Sequence, residues 1–291
     1  MSIFYSYPEF KNSHIFRNEN LSGIITEHGK KCLPSDLTAE KLDQMMKNGI
    51  SLKDSATTTA ALIKIPDTNI SVFLKRNNNK GLRFTLRYLF RYARVFHAAE
   101  AAEVFEKYNI KTPRVYMAAE KKKGLILQSG YIITETVENV ISVHHLLANN
   151  PEREKILAAF LPWAAKAMTT LHRAGIEHGD LKLVNFYCEG DWNDPDASFG
   201  IWDLDSVKTG KKVSPEKVNC EITRTFFSMW YFSRNLENGL DYIKEHCRSF
   251  CALYHQLAPE LYKPDVALIL QRIEERINIV SRKNAKKKGS A

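Results

Sequence analysis

The stretch between residues 171 and 205 constrains this chain more than any other, because it carries charged and amide side chains at fixed spacing. After His178, the chain carries Asp180, Lys182 and Asn185 in the order D-x-K-x-x-N. A second Asp, Asp203, follows a polar insertion and an apolar pair. Phosphoryl transfer uses residues of these types. One carboxylate accepts the proton of the attacking hydroxyl, while an amide and a second carboxylate hold Mg²⁺ against the phosphates. The spacing therefore indicates phosphoryl-transfer chemistry.

The order of these residues matches the protein-kinase pattern H-R-D-L-x-x-x-N followed by D-F-G. Gly179 stands in place of the Arg, and Asp203-Leu204-Asp205 stands in place of D-F-G. Four such residues at fixed offsets should occur by chance in roughly one chain in a thousand, given a usage of a few per cent each. The alternative, a polar loop whose side chains only cap helices, explains the spacing less well.

The composition is that of a globular protein, with 44% apolar and 26% charged residues. No apolar run approaches the length of about 18 residues that a membrane-spanning helix needs. The first residues show no basic segment followed by an apolar one, so we expect no secretory signal. The five cysteines include no C-x-x-C pair, which favours free thiols in a reducing compartment. The sequence predicts a soluble, cytoplasmic protein.

Positive charge is concentrated in two regions of a chain whose net charge is +9. Residues 76–123 hold twelve Lys or Arg against four Glu, and residues 282–288 add five more basic side chains. The remainder is slightly acidic. Such asymmetry suggests an anionic partner: a phosphorylated substrate, an anionic membrane surface or nucleic acid. Only charge supports the last of these, and no sequence motif does, so we expect no nucleic acid partner.

An Arg stripe lies within the first of these regions. Residues 82–96 show apolar positions at helical spacing, and Arg83, Arg87, Arg91 and Arg94 form a second stripe at the same spacing. A solvated basic face of a surface helix is one interpretation. The other is a patch that binds an anionic substrate or lipid headgroups, because an Arg fork matches phosphate geometry.

Three strands are predicted after a first segment to which we assign no chemistry. Within that segment, residues 16–25 read as a strand and residues 36–46 as a short helix. Residues 50–53, 60–65 and 70–75 then form an antiparallel meander that ends in Lys75. In a kinase the first hairpin covers the phosphates and a Lys on the third strand contacts them. The hairpin here has no glycine, so any approach of its backbone to phosphates must use residues such as Ser55 and Thr57.

A helix over residues 97–108 carries Glu100 and Glu103, and a kinase needs one helical Glu to hold its strand Lys. We prefer Glu100, which lies further from the helix end, and keep Glu103 as the alternative. Residues 112–117 and 124–129 read as strands. Residues 131–138, which include Glu135, read as a strand that runs into a connector whose backbone would bind adenine.

From residue 142 onward the pattern is mainly helical. Helices are predicted at 142–148, at 152–174 with a kink or break at Pro162, and at 216–236, 238–256 and 263–280. Gly175 is the expected C-terminal cap of the second of these helices. Residues 186–188 and 199–202 read as a hairpin around the insertion. No A-P-E sequence follows.

The fold class that these elements predict is α+β, with two lobes as in protein kinases. A small antiparallel sheet with one main helix forms the first lobe, and the second lobe is mostly helical. We expect an extension over residues 1–44, the first lobe over 45–138, the second over 139–281, and a basic, disordered tail over 282–291.

With these motifs in place, the chain resembles the lipopolysaccharide kinase family, which phosphorylates Kdo or heptose in the lipopolysaccharide inner core. The resemblance covers about residues 50–210 and rests on the segments VFLKR, NIKTPRVYMA, SGYIITE, LHRAGIEHGDLKLVN and IWDLDSV. It implies that Lys75 contacts the phosphates of ATP, that Asp180 is the catalytic base, and that Asn185 and Asp203 hold Mg²⁺. It also implies that Lys182 lies near the transferred phosphoryl group. The glycine-poor hairpin is similar to what the family shows.

The resemblance implies an ATP- and Mg²⁺-dependent kinase of a lipopolysaccharide-core glycolipid or another anionic sugar, at the cytoplasmic face of the membrane. The basic stripe of Arg83, Arg87 and Arg91 would then face the inner membrane. Two alternatives remain open at this stage. One is a protein kinase acting on Ser, Thr or Tyr, which would share every catalytic residue. The other is a pseudokinase or basic binding module.

Overall fold

The computed structural model describes residues 13–66, 68–79, 81, 92–210 and 212–288. Arg83, Arg87 and Arg91 lie outside the described residues. The chain divides into two compact units, one comprising Met1–Lys107 and Thr112–Glu138, the other Tyr108–Lys111 and Asn139–Ala291.

A single antiparallel sheet organises the first unit. In the described residues it has seven strands in the order β1-β2-β6-β7-β5-β4-β3. The strands are β1 (Ser13–Asn18), β2 (Leu21–Thr26), β3 (Ile50–Ser55), β4 (Thr58–Lys64), β5 (Ser71–Asn78), β6 (Val115–Lys123) and β7 (Ile126–Glu135). The predicted meander is confirmed as β3, β4 and β5. The two strands predicted at 124–129 and 131–138 are one continuous strand, β7.

Helices α1 (Glu27–Cys32) and α2 (Ala39–Asn48) follow the first hairpin. The Thr26 and Thr38 hydroxyls accept hydrogen bonds from the first turns of these helices, as helix-capping side chains do. The apolar side of α2 packs on one face of the sheet, where Leu42 and Met46 join Val72 and Leu74 of β5 in one buried cluster. The described part of the N-terminal segment is therefore built into the sheet and its core.

A group of polar side chains ties α2 to the same face of the sheet. The Arg76 guanidinium donates to Asp43 Oδ1 at 2.8 Å, and the Tyr131 hydroxyl donates to the same oxygen at 3.1 Å. Burial is the main cause that raises the pKa of Tyr131 to about 12, so its hydroxyl stays protonated. Asp43 thus joins α2 to both β5 and β7.

Helix α3 (Arg94–Lys107) packs against the other face of the sheet. Gly130 of β7 is paired with Asn77 of β5, and a Cβ atom at Gly130 would meet side-chain atoms of Ala93 and Val95 at 3.0 and 3.3 Å. Because side chains alternate along a strand, Lys75 shares a face with Asn77 and lies opposite Leu74. Lys75 is therefore on the face of the sheet that α3 covers.

The second unit is mostly helical. Its helices are α4 (Val143–Asn149), α5 (Arg153–Arg173), α6 (Pro215–Ser233), α7 (Gly239–Leu257) and α8 (Val266–Lys288). Helix α5 continues through Pro162, so the predicted break does not occur. Gly175 has φ +73° and donates its N–H to His172 O, which confirms it as the residue that terminates α5.

Two small sheets accompany these helices. Strands β8 (Val140–Ser142), β10 (Phe186–Glu189) and β11 (Ser198–Ile201) form one, with β10 in the centre. Strands β9 (Ile176–Glu177) and β12 (Lys208–Thr209) form the other, antiparallel pair. The predicted hairpin around the insertion is confirmed as β10 and β11.

Two further sequence predictions differ from the structure. The single strand expected at residues 16–25 is the β1–β2 hairpin, which turns at Glu19 with φ +48°. Helix α8 extends to Lys288, through most of the tail that was expected to be disordered. Its buried Ile269, Ile273 and Ile277 anchor the helix, and the Lys, Arg and Ala residues that follow propagate helical structure well. No described helix is long and apolar enough to cross a membrane.

Candidate active site

The loop between β9 and β10 presents two polar side chains between two apolar anchors. Leu181 and Leu183 are fully buried, whereas the Asp180 and Lys182 side chains are 33% and 44% exposed. Lys182 has extended backbone angles, and a single 3₁₀ turn, Leu183–Asn185, leads into β10. The burial of the two leucines thus leaves the side chains of Asp180 and Lys182 accessible.

The predicted residues Asp180, Lys182 and Asn185 form a contiguous group. Lys182 Nζ lies 2.9 Å from Asp180 Oδ2. The Asn185 side-chain N–H₂ donates to Asp180 O at 2.8 Å and lies 3.5 Å from Oδ2. With its amide nitrogen turned toward Asp180, Asn185 keeps Oδ1 as an oxygen ligand for a cation.

Asp203 directly follows Trp202, whose main chain is hydrogen-bonded to Asn185. The Trp202 N–H donates to Asn185 O at 3.0 Å, and the indole N–H donates to Val184 O at 2.7 Å. The Trp202 ring stacks on Tyr187 with 4.9 Å between ring centroids. Asp203 itself has left-handed backbone angles, φ 59° and ψ 56°, a conformation that is uncommon for residues with a side chain and concentrates at functional sites.

The donor set fits a magnesium ion. Asn185 supplies an amide oxygen and Asp203 a carboxylate, and Mg²⁺ binds oxygen ligands of this kind, usually through one or two protein side chains with water and substrate phosphates. The hydrogen bond from the Trp202 N–H to Asn185 O places the backbone of Asp203, the next residue, beside the segment that carries Asn185.

His178 supports the loop from its buried position. It is fully buried, its Nδ1 accepts from the Asp180 N–H at 3.3 Å, and its Nε2 lies 3.3 Å from Trp202 O. Burial lowers the pKa of His178, and the nearby carboxylates, Glu221 first among them, act in the opposite direction. A neutral ring that accepts at Nδ1 and donates at Nε2 satisfies both contacts and joins the loop to the backbone before Asp203.

Gly179, the residue that departs from the protein-kinase pattern, occupies a position that requires glycine. Its φ is +80°, and a Cβ atom there would lie 2.7 Å from Ser206 O. Both the backbone angle and the close approach exclude a larger residue without a shift of the loop.

The first unit holds the remaining predicted site residues. Lys75 lies on β5 between its cross-strand partners Ala60 and Ile132. Glu100 of α3 contacts His97 Nδ1 at 3.2 Å, and burial together with the nearby Glu100 carboxylate raises the pKa of Tyr92. The structure thus gives Glu100 a partner, His97, in its own helix.

Ser55, Thr57 and Glu135 differ in how their side chains are used. The Ser55 hydroxyl closes its own turn, donating to Thr58 O at 2.9 Å and accepting from Thr58 N at 3.1 Å. Thr57 is exposed at the tip of the hairpin. Glu135 Oε1 accepts from the Arg114 N–H at 2.8 Å, and its own N–H donates to Arg114 O at 2.9 Å. Glu135 therefore joins the end of β7 to the segment before β6.

Two residues that shape the site were not singled out in the sequence. Trp202 was noted only as an apolar residue, although its backbone and indole N–H groups both hold the segment before Asp203. Glu221 of α6 accepts from the Gly179 N–H and is 1% exposed. The only signal for Glu221 is a carboxylate beside the apolar residues Val218 and Ile222 of the helix.

Comparison with known proteins agrees with this architecture. The family model described as "Lipopolysaccharide kinase (Kdo/WaaP) family" matches residues 59–221. The structure titled "WaaP in complex with acyl carrier protein" is similar with a TM-score of 0.59 at 14% identity, over 87% of this chain and 97% of that chain. A double mutant of the Mycobacterium tuberculosis PknI kinase domain aligns at 14% identity over 78% of this chain and 94% of that chain, with a TM-score of 0.43. No curated protein matches the sequence.

The chain has an antiparallel sheet followed by a helical unit, and the helical unit carries Asp180, Lys182, Asn185 and Asp203. This arrangement defines a protein of the kinase-like class. The family model covers more than half of the chain, and the chain belongs to the lipopolysaccharide kinase (Kdo/WaaP) family. It is therefore a phosphotransferase that acts on a sugar of the lipopolysaccharide core.

Replacement of Gly179 by Ala should reduce turnover strongly, because the added Cβ would displace the loop that carries Asp180. We expect a loss of about a hundred-fold, the size that follows from a misplacement of reacting groups by about 1 Å. Steady-state kinetics of the purified variant measure it.

Gly190→Ala is the matched control for this substitution. Gly190 has a similar φ of +84°, but a Cβ atom there meets only Ala197 Cα at the ordinary distance of 3.7 Å. Both variants share the backbone cost of about 1 kcal/mol. Equal turnover in the two variants would show that the contact with Ser206 O does not affect turnover.

Proposed function

We propose that this kinase transfers the γ-phosphoryl group of ATP, in a Mg²⁺-dependent reaction, to a hydroxyl of Kdo or heptose in the lipopolysaccharide core. The observation that carries the proposal is the group formed by Asp180, Lys182 and Asn185 beside Asp203, in a chain of this family. The family supports the substrate class, and the chemistry of the donor set supports the metal.

In the proposed reaction the acceptor hydroxyl oxygen forms a bond to the γ-phosphorus, the bond from that phosphorus to the β–γ bridging oxygen breaks, and ADP leaves. Asp180 orients the hydroxyl and accepts its proton. Lys182, 2.9 Å from Asp180 Oδ2, is placed to offset negative charge on the transferred group. Asn185 and Asp203 would hold Mg²⁺, which neutralises charge on the phosphate oxygens when bound.

The first unit supplies the residues that we propose to bind the nucleotide. Lys75 contacts the phosphates of ATP, and the hairpin tip with Ser55 and Thr57 approaches them through its backbone. The segment that begins at Glu135 binds adenine through main-chain groups, since the Glu135 carboxylate is occupied by Arg114 N.

The direct test is ATP consumption with Mg²⁺ and purified inner-core lipopolysaccharide from a kinase-lacking strain as acceptor. We expect acceptor-dependent turnover in the wild type and a loss of about a thousand-fold in Asp180→Asn, within the range for removal of a general base. Asp203→Ala should abolish turnover with folding nearly intact, and chelation of Mg²⁺ should do the same.

Asp196→Asn is the control, because Asp196 is an exposed carboxylate on the insertion between β10 and β11. Nucleotide binding without transfer to this acceptor would contradict the proposed substrate. Transfer to generic protein substrates would instead support a protein kinase, and absence of any turnover would support a pseudokinase. A loss of melting temperature in Asp203→Ala without nucleotide would indicate a structural role for that residue.

The choice between Glu100 and Glu103 as the partner of Lys75 can be tested separately. Because the Glu100 carboxylate already contacts His97 Nδ1 at 3.2 Å, we propose Glu103 as the partner. Glu103→Gln should raise the KM for ATP or lower kcat by about ten-fold or more, in line with the loss of one charge-assisted contact of about 1.5 kcal/mol. Glu100→Gln should change either constant by less than about three-fold. The reverse order of effects would restore Glu100 as the partner.

We further propose that the enzyme works at the cytoplasmic face of the inner membrane and contacts anionic lipid through Arg83, Arg87 and Arg91. The net charge of +9 and the helical spacing of these residues support this. Reversal of the three charges to Glu should weaken binding to vesicles with anionic lipid in a sedimentation assay, by about 1 kcal/mol for each basic residue lost. Unchanged binding would exclude this surface as the contact.

A further inference from the structure

One face of helix α6 stays open to solvent beside the loop that carries Asp180. Arg224, Phe227 and Tyr231 recur at i, i+3 and i+7, so they share this face, which we call the α6 strip. Arg224 and Phe227 are partly exposed, and the Tyr231 ring is 47% exposed. A lone exposed aromatic residue is ordinary, so the surroundings of the ring decide whether the strip is a binding surface.

The loop that carries Asp180 borders the strip on one side. The Thr225 hydroxyl of α6 donates to Leu181 O at 3.1 Å, and the Leu183 N–H donates to Ser228 Oγ at 2.9 Å. The next loop residue, Val184, is 39% exposed. The loop therefore runs along α6 and presents an apolar side chain where its hydrogen bonds to the helix end.

Helix α8 borders the strip on the other side. The Arg272 guanidinium donates to Glu216 Oε2 at 3.1 Å and contacts Cys220 Sγ at 3.6 Å. One turn further along α8, the Arg276 guanidinium carbon lies 5.8 Å from the centre of the Phe227 ring, which is a cation–π distance. A basic helix thus forms this border.

Arg224 and Tyr231 lie between the two borders. With 3.6 residues per turn, their positions on α6 fall between the side that bonds to the loop and the side that contacts α8. They are separated by about 10 Å along the helix axis, because a helix rises about 1.5 Å per residue. Arg224 is at the Asp180 end, since the adjacent Thr225 bonds to Leu181, and Tyr231 is at the Val184 end. This length exceeds one sugar ring.

The Tyr231 ring is held in place although much of it is exposed. It meets Phe227 edge to face at 6.0 Å between ring centroids, and His144 of α4 in the same way at 6.3 Å. Helix α4 also packs against the turn Leu183–Asn185. The ring therefore has a fixed position relative to the loop, and a surface that is already ordered loses little freedom when a ligand binds.

The charges around the ring select an anionic ligand. Arg224 forms no hydrogen bond or ion pair within the part of the chain that the structure describes. Arg276 and the 44% exposed Lys182 add positive charge at the two borders. An aromatic ring packs against the C–H face of a sugar, and a guanidinium pairs with a carboxylate or phosphate. A lipid acyl chain would make no use of Arg224, and a basic peptide would be repelled by it.

We propose that the α6 strip binds the acceptor oligosaccharide beyond the sugar that receives the phosphoryl group. The acceptor sugar lies at Asp180, Arg224 pairs with an anionic substituent of the oligosaccharide, and Tyr231 with Val184 packs against the neighbouring sugar ring. The inference rests on the proposed function for the class of ligand. It adds residues that determine which acceptor binds and that take no part in the transfer itself.

The first test compares Tyr231→Ala with Tyr231→Phe. Titration calorimetry measures binding of the delipidated inner-core oligosaccharide from a kinase-lacking strain, without nucleotide. We expect about ten-fold weaker binding in the Ala variant, because the ring is lost, and a change of less than about two-fold in the Phe variant, which keeps it. In turnover the Ala variant should raise the KM for the acceptor by the same factor, with kcat and the KM for ATP nearly unchanged.

Tyr262→Ala is the matched control, because Tyr262 is a 38% exposed tyrosine on the segment between α7 and α8. It should bind the oligosaccharide as the wild type does. An equal loss of affinity in Tyr262→Ala and Tyr231→Ala would overturn the assignment of the strip.

The second test concerns charge. Arg224→Gln should weaken binding of the same oligosaccharide by about ten-fold at low salt and by less at high salt, because salt screens an exposed ion pair. Arg248→Gln, which removes an exposed charge from α7, is the control and should have no effect. Phosphatase treatment of the oligosaccharide then identifies the partner of Arg224: the effect disappears if the partner is a phosphate and persists if it is a carboxylate.

The possible failures can be told apart. Wild-type affinity for the oligosaccharide in Tyr231→Ala and Arg224→Gln would overturn the inference and leave the proposed function intact, provided that the wild type transfers phosphate to this acceptor. Unchanged oligosaccharide binding with weaker binding to anionic vesicles that carry no sugar would assign the strip to lipid instead, against the inference. A wild type that neither binds the oligosaccharide nor phosphorylates it would contradict the proposed function itself.

Discussion

The hydrogen bond from the Gly179 N–H to Glu221 is the contact on which the rest of the site depends. It fixes the residue before Asp180. The bond forms in a loop where Gly179 adopts φ +80° and lies close to Ser206 O. From that point the loop is extended, and the burial of Leu181 and Leu183 determines which side chains stay accessible. The geometry of the candidate base thus follows from a buried acceptor, a glycine and two leucines, none of which reacts.

The spacing D-x-K-x-x-N could be interpreted from the sequence because it encodes local geometry. Asn185 bonds back to Asp180 across one 3₁₀ turn, and Lys182 pairs with the same carboxylate. Short-range contacts of this kind depend on few residues, so a pattern search finds them. The helices and the meander were predictable for a similar reason, since apolar periodicity reports which face of an element is buried.

Features without a clear local signal could not be predicted. The turn between β1 and β2 contains Glu19 with φ +48°, without the glycine that signals most such turns, so the hairpin reads as one strand. The choice of Glu100 over Glu103 used distance from the helix end. That criterion does not consider the contact of Glu100 with His97, and the choice between the two residues stays a prediction. Glu221 gave almost no signal, because its partners are His172 of α5 and the N–H of Gly179 in the loop.

Two residues of the candidate site in the second unit have positive φ. Asp203 has left-handed angles and follows Trp202, whose N–H donates to Asn185 O; Gly179 follows His178, whose Nε2 lies 3.3 Å from Trp202 O. Trp202 adds an indole hydrogen bond and a stacked ring on one side, and Glu221 adds a buried charge on the other. The left-handed conformation of Asp203 costs about 1–3 kcal/mol, and such a conformation persists only where the surroundings over-determine it. The hydrogen bonds and the stacked ring around Gly179 and Asp203 are therefore better explained by a need for fixed geometry at Asp180 and Asp203. Apolar packing alone could supply stability.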